Sequence, residues 1–171
     1  TLTLLNKEVL TASLFLTKEP AGSSQPPPPP PGPAPLPFCT IDFDSGCPNT
    51  LTQCGADFSG GNGCISIGVG SCYSSGARSY EMDPGETVTI ELDGDLEELA
   101  VFFAANGAGQ GTMTFFDAGG AQVGNPIMTN GNCRGTMPPS QRVSFPTPVR
   151  SIEVTTTGSA SFIDTFVVNP P

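Results

Sequence analysis

The sequence contains no histidine and no tryptophan, and only six of its 171 residues are lysine or arginine. Without histidine, neither a His-based catalytic triad nor the usual Cys/His zinc site can form. The only lysines are Lys7 and Lys18, so residues 39–171 cannot hold a Ser-Lys dyad. Paired carboxylates that hydrolyse glycosides stay open in principle, but no acidic pair stands out. We therefore predict that the chain is not an enzyme.

The scarcity of cations also limits the partners. The formal net charge is −10, and residues 39–171 carry four arginines against 14 acids. Such a surface repels phosphate backbones and anionic lipids, so no nucleic-acid partner is expected. No apolar run approaches the length of a transmembrane helix, and we predict no membrane insertion.

The cysteine pattern indicates an oxidising compartment. The number of cysteines is even, no CxxC pair occurs, and three disulfides are the simplest interpretation, in any of fifteen pairings. Five of the six precede residue 73, which predicts that disulfides hold the first part of the domain together and that the sixth cysteine is bonded to this part. An extracellular protein, secreted or at the cell surface, is expected. The cysteines are Cys39, Cys47, Cys54, Cys64, Cys72 and Cys133.

Residues 1–18 form a short apolar arm. Within "LTASLFLTK" the apolar side chains alternate with polar ones, which favours a β-strand. A helix with Leu2, Leu5, Val9, Ala12 and Leu16 on one face is the alternative, and the four threonines favour the strand. The strand face would consist of Leu10, Ala12, Leu14 and Leu16.

Residues 19–38 form a spacer that includes six consecutive prolines. Each proline fixes its own φ and extends the residue before it, so a polyproline II rod is expected over Pro26–Pro37. Its length is roughly 37 Å at about 3.1 Å per residue.

Residues 39–171 have the pattern of an all-β domain. Apolar or threonine-rich runs alternate with turn signals such as "DPG", "DGD", "NGAGQG", "DAGG" and "NGN". We predict eight to ten short strands in a two-sheet antiparallel jelly-roll sandwich. The runs are "CTIDF", "CISIGV", "ETVTIEL", "ELAVFFAA", "TMTFFD", "RVSF", "VRSIEVTT" and "ASFIDTFVV".

The order "IDFDSG", "LAVFFAANG", "GTMTFFDAGGAQVG", "VSFPTPVRSIEV" and "SFIDTFVV" resembles the jelly-roll sandwiches of secreted surface proteins. These are similar to carbohydrate-binding modules of the galactose-binding-like type. The resemblance implies a structural calcium between the first and last strands, held by Asp42 or Asp44 together with Asp164. Solvated loop carboxylates are the alternative. It also implies sugar stacking on exposed aromatics, although most of the 11 phenylalanines lie in strand runs typical of a core.

The proline stretch resembles the hydroxyproline-rich linkers of plant and green-algal wall glycoproteins. This resemblance implies hydroxylated prolines that carry O-linked glycans. No Asn-x-Ser/Thr sequon with a permitted middle residue occurs. The candidate positions are Pro26, Pro27, Pro28, Pro29, Pro30, Pro31, Ser23 and Ser24.

Together, the arm and the spacer suggest a function. Burying four apolar side chains is worth several kcal/mol at about 25 cal/mol per Å², yet a stiff spacer opposes a return to the same domain. We therefore predict that the arm adds as a donor strand to another copy of the chain, which gives a head-to-tail extracellular fibre. The alternatives are a carbohydrate-binding or adhesive surface module, with a matrix polysaccharide as partner, and a plain linker in which 1–18 belongs to a preceding domain.

Overall fold

The computed structural model describes residues 31–44, 51–66, 78–129 and 140–171. The chain divides into two units, residues 1–31 and 32–171, and only the second is described below. Its described residues form ten strands and no helix. The strands are β1 (Cys39–Ile41), β2 (Leu51–Gln53), β3 (Ala56–Gly60), β4 (Gly63–Ser66), β5 (Arg78–Met82), β6 (Thr87–Ala105), β7 (Gln110–Phe116), β8 (Ile127–Met128), β9 (Gln141–Thr157) and β10 (Ser161–Val168).

All pairings between these strands are antiparallel, and the two longest strands link two layers. The N-terminal part of β6 pairs with β3 and with the C-terminal part of β9, which continues to β7 and β8. The C-terminal part of β6 pairs with β10 and with the N-terminal part of β9. Strand β10 also pairs with β5 and β1, and β5 pairs with β4. The sheet therefore curls into a sandwich.

The space between the layers is filled by apolar side chains. Val88, Ile90 and Leu92 on β6 are buried, while Thr87, which precedes them, and Glu91, which lies between Ile90 and Leu92, are exposed. This alternation, predicted from "TVTIEL", is what a strand with one face on a core requires.

Aromatic rings from both layers meet at the centre of the core. Phe58 of β3 lies 5.4 Å from Phe166 of β10 and 5.3 Å from Tyr80 of β5, measured between ring centroids. Phe43 completes the cluster at 5.5 Å from Phe58. The Tyr80 hydroxyl donates a hydrogen bond to the carbonyl of Gly60 at 2.5 Å, which satisfies the one polar atom of that ring.

One disulfide lies at the entrance to the fold. Cys39 in β1 is bonded to Cys54, between β2 and β3, with a Cα–Cα distance of 5.7 Å and a sequence separation of 15. Cys64 is also disulfide-bonded, and the other three cysteines lie outside the described residues. The prediction of an all-β antiparallel sandwich with disulfides is confirmed.

Two details differ from the sequence-based expectation. "DGD" at residues 93–95 was expected to be a turn between strands, but β6 continues through it with a register shift against β9 between Glu91 and Leu96. "RVSF" and "VRSIEVTT" likewise form the single strand β9.

Strands β2, β3 and β5 were not predicted, because they are three to five residues long and lack a clear apolar alternation.

None of the described residues belongs to a helix that is long and apolar enough to cross a membrane.

Candidate functional site

The last residues of the predicted spacer are built into the domain. The backbone N–H of Leu36 donates to the carbonyl of Asp95 at 3.0 Å, and the N–H of Asp95 donates to the carbonyl of Ala34 at 3.1 Å. The Leu36 side chain is buried. Residues 34–36 therefore cover β6 at the position where "DGD" was expected to turn.

Two glycines make room for this docked segment. A Cβ atom added at Gly55 would lie 2.6 Å from Cδ2 of Leu36, and one added at Gly94 would lie 2.7 Å from the carbonyl oxygen of Ala34. Real Cβ atoms do not approach other atoms so closely, so a side chain at Gly94 would displace the backbone of the segment, and one at Gly55 would require the Leu36 side chain to shift. Gly94 thus serves close backbone approach rather than a turn.

Asn169, directly after β10, ties the segment to two strands. Its Oδ1 accepts hydrogen bonds from the N–H groups of Glu97 and Glu98 at 2.8 and 3.0 Å. Its Nδ2 donates to the carbonyls of Leu36 and Asp95 at 2.8 and 3.2 Å. The φ of Asn169 is 43°, a left-handed conformation that asparagine adopts more readily than most residues. The side chain thereby holds the spacer end, β6 and the end of β10 together.

Beside this junction lies an open groove with a volume of 530 Å³. Phe38 is 60% exposed there and is one of two exposed large hydrophobic side chains among the described residues, the other being Met128 at 44%. The ring of Phe38 therefore presents an exposed apolar face at the groove. The residues that line the groove are Pro35, Leu36, Phe38, Glu97, Glu98, Asn169 and Pro170; we call it the Phe38 groove.

The two carboxylates of the Phe38 groove differ in their surroundings. Glu98 forms an ion pair with Nε of Arg142, and this hydrogen bond lowers the pKa of Glu98. Nη2 of Arg142 also donates to the carbonyls of Pro170 and Pro171 at 3.4 and 3.1 Å. Glu97 is exposed, and no described cation forms an ion pair with its carboxylate.

The Phe38 groove can therefore offer an aromatic face together with hydrogen-bond acceptors. Its apolar wall comes from Phe38 and the prolines, and its acceptors are the carboxylates of Glu97 and Glu98. Ligand sites commonly combine an apolar wall with a few polar groups that fix orientation.

A smaller cleft of 270 Å³ lies elsewhere on the sandwich, and its charged groups are already engaged. Arg150 pairs with Asp95 at 3.3 Å. Oδ1 of Asp117 accepts hydrogen bonds from the N–H groups of Gly119 and Ala121 at 2.8 and 2.9 Å, which closes a hairpin turn. These groups stabilise the fold, so the Phe38 groove is the better candidate.

The acids implicated in calcium binding lie at one end of the sandwich. Pairing of β1 with β10 ends at Ile41 opposite Phe166, which places Asp42 and Asp164 at the same end. Oδ1 of Asp42 accepts from the N–H of Asp44 at 3.2 Å, and Asp164 is fully buried. No three Cys, Asp or Glu side chains within the described ranges come together in a way that could hold a metal. Calcium binding stays a prediction.

The remaining predicted sites fall mostly outside the described residues. These are the arm with Leu10, Ala12, Leu14 and Leu16, and the glycosylation candidates except Pro31, which is exposed. Phe38 was not singled out from the sequence. Its signal is an aromatic residue between the last spacer proline, Pro37, and Cys39, outside any alternating run.

No protein-family profile matches the sequence, and no curated protein matches it either. Among solved structures, the catalytic unit of a GH87 α-1,3-glucanase from Streptomyces thermodiastaticus is similar, with 14% identity and a TM-score of 0.46; the match covers 80% of this chain and 26% of that chain. TmCBM61 in complex with β-1,4-galactotriose has 12% identity and a TM-score of 0.41, over 81% of this chain and 91% of that chain. A family 6 carbohydrate-binding module has 15% identity and a TM-score of 0.41, over 83% and 100%.

Proposed function

We propose that this chain is a non-catalytic extracellular module that binds saccharides in the Phe38 groove. The observation that carries the proposal is the 60% exposed ring of Phe38 beside the carboxylates of Glu97 and Glu98. A sugar ring presents an apolar C–H face and a rim of hydroxyl donors. The aromatic ring suits the first, and the carboxylates, which only accept hydrogen bonds, suit the second.

The electrostatics of the groove favour binding over catalysis. A glycoside hydrolase needs one carboxylic acid with a raised pKa that protonates the leaving group. The hydrogen bond from Arg142 instead lowers the pKa of Glu98. Glu98 is thereby kept ionised, which suits an acceptor for sugar hydroxyls and not a general acid.

An extracellular location agrees with the disulfides. Cys39–Cys54 is formed and Cys64 is also bonded. Disulfides persist in oxidising compartments and are rare in the cytosol. The groove would then face matrix or wall polysaccharides.

Retention on a panel of insoluble polysaccharides tests this proposal. Phe38→Ala should weaken retention by about fivefold or more, because truncating an aromatic residue that anchors a binding site costs about 1 kcal/mol or more. Met128→Ala is the matched control, since Met128 is the other exposed large hydrophobic residue. If Phe38→Ala is retained as strongly as the control Met128→Ala, the groove is not the binding site.

A second candidate, the structural subunit of a fibre, is favoured by the docked spacer end. Residues 34–36 hydrogen-bond to β6 and bury Leu36, so the last residues of the predicted spacer belong to the folded domain. A spacer that ends at a fixed point of the domain suits an arm, residues 1–18, that is donated to a neighbouring copy. Glycans on the spacer prolines would stiffen it further.

Electron microscopy of the full chain beside a chain without residues 1–18 tests the fibre. Filaments formed only by the full chain would support strand donation, and mass spectrometry of the same material would detect proline-linked glycans. Two monomeric samples would remove this candidate.

A further inference from the structure

We infer that the Phe38 groove prefers saccharides with free amino groups over neutral ones, and neutral ones over acidic ones. The inference rests on the proposed saccharide binding and adds its charge selectivity. None of the residues lining the groove is a lysine or an arginine, whereas two of them are glutamates.

Glu97 supplies a negative charge that none of the described arginines pairs with. Its side chain is exposed, and within the described part of the chain no lysine or arginine forms an ion pair with it. Its backbone N–H is fixed by Oδ1 of Asn169 at 2.8 Å, so the residue is held in place at the groove wall. An ammonium group on a bound sugar could pair with this carboxylate without displacing a cation of the described residues.

Arg142, the described cation that pairs with Glu98 of the groove, is already partly engaged. Its Nε is bonded to Glu98, and its Nη2 donates to the carbonyls of Pro170 and Pro171. A uronate or sulfate that paired with Arg142 would share this cation with the Glu98 carboxylate. Because Glu98 already balances the charge of Arg142 and Glu97 adds a second negative charge, acidic saccharides are repelled locally.

The charge of the whole chain acts in the same direction. A net charge of −10 attracts cationic polymers and repels polyuronates at low salt. Because this contribution is long-ranged, it is screened when the Debye length falls from about 10 Å at 0.1 M salt to about 3 Å at 1 M. The pairing with Glu97 is short-ranged and persists longer.

Calorimetric titration of the full chain with three oligosaccharides of equal length tests the inference. The probes are a glucosamine oligomer at a pH where its amines are protonated, an N-acetylglucosamine oligomer and a galacturonate oligomer. We expect the amino oligomer to bind about three- to fivefold more tightly than the acetylated one, the range for an exposed ion pair. The galacturonate oligomer should bind most weakly.

Glu97→Gln keeps the shape of the side chain and removes its charge. At a salt concentration that screens the long-range contribution, it should weaken binding of the amino oligomer more than that of the acetylated oligomer, which reduces the preference between them to near equality. A preference that survives in Glu97→Gln, or equal binding of all three oligomers to the parent chain, would overturn the charge selectivity alone. Phe38→Ala should weaken binding of the amino oligomer and of the acetylated oligomer to a similar extent. Failure of every oligomer to bind, or unchanged binding by Phe38→Ala, would instead overturn the saccharide-binding proposal.

Discussion

Asn169→Ala is expected to destabilise the domain more than any other single polar truncation at the Phe38 groove. The substitution removes four hydrogen bonds, two accepted from β6 and two donated to the carbonyls of Leu36 and Asp95. Each is worth about 0.5–1.5 kcal/mol net. Because Asn169 is half-buried, water can replace part of them, and we expect a loss of about 3 kcal/mol in the free energy of unfolding.

Urea denaturation under non-reducing conditions measures this loss, since the midpoint shift at constant slope gives the change in stability. Asn169→Asp retains the two accepted hydrogen bonds and loses the two donated ones, so its loss should be roughly half as large, with some added repulsion from Glu97 and Glu98. Asn106→Ala, in the exposed turn after β6, is the control and should change stability by less than about 0.5 kcal/mol.

An Asn169→Ala loss below about 1 kcal/mol, or one equal to that of the control, would refute the reasoning. It would mean that the spacer end is held by its backbone pairing with Asp95 alone. The docked segment would then not depend on the end of β10.

Three further predictions concern the disulfide and two titrating groups. Replacing Cys39 and Cys54 by serine should cost about 3 kcal/mol in urea denaturation, since the disulfide closes a loop with a separation of 15 residues; an unchanged midpoint would contradict this. The pKa of Glu98 is lowered in the fold by Arg142, so its stabilising contribution is present above its ordinary pKa and is lost as the pH falls through the folded value. Arg142→Gln should therefore show a flatter loss of stability in acid, and parallel curves for the two proteins would refute the pairing. Burial raises the pKa of Tyr80 to about 12, so the stability that the neutral ring supplies is present below pH 10 and lost as the pH approaches 12. Tyr80→Phe should therefore lose less stability than the parent chain when urea denaturation is measured between pH 10 and pH 12. An identical dependence of stability on pH in the two proteins would contradict this.

The sandwich could be predicted from local patterns because its strands have a strong period of two. Val88, Ile90 and Leu92 alternate with polar residues and are buried as expected, and a chain that repeats such runs must pair them to bury one face. The continuity of β6 through "DGD" could not be predicted. Gly94 is read locally as a turn residue, and only the docked Ala34 and Leu36 explain why it lies within a strand.

The candidate site escaped prediction for a related reason. The Phe38 groove joins residues near 36, 97 and 169, which are far apart in sequence and meet only in the folded chain. Asn169 follows the last strand in a context typical of a loop, and its hydrogen bonds to Glu97 and Glu98 have no local signature. The exposure of the Phe38 ring could not be predicted from the sequence either, because phenylalanine usually indicates a core position.

The most direct test of the central claim is a two-dimensional NMR titration of the full isotope-labelled chain with the saccharide retained most strongly from the polysaccharide panel. The account predicts that the backbone amide signals of Phe38, Glu97, Glu98 and Asn169 shift together and saturate with one affinity, while those of β7 and β8 stay in place. Shifts confined to other loops, or no shifts at saturating saccharide, would contradict a binding site in the Phe38 groove.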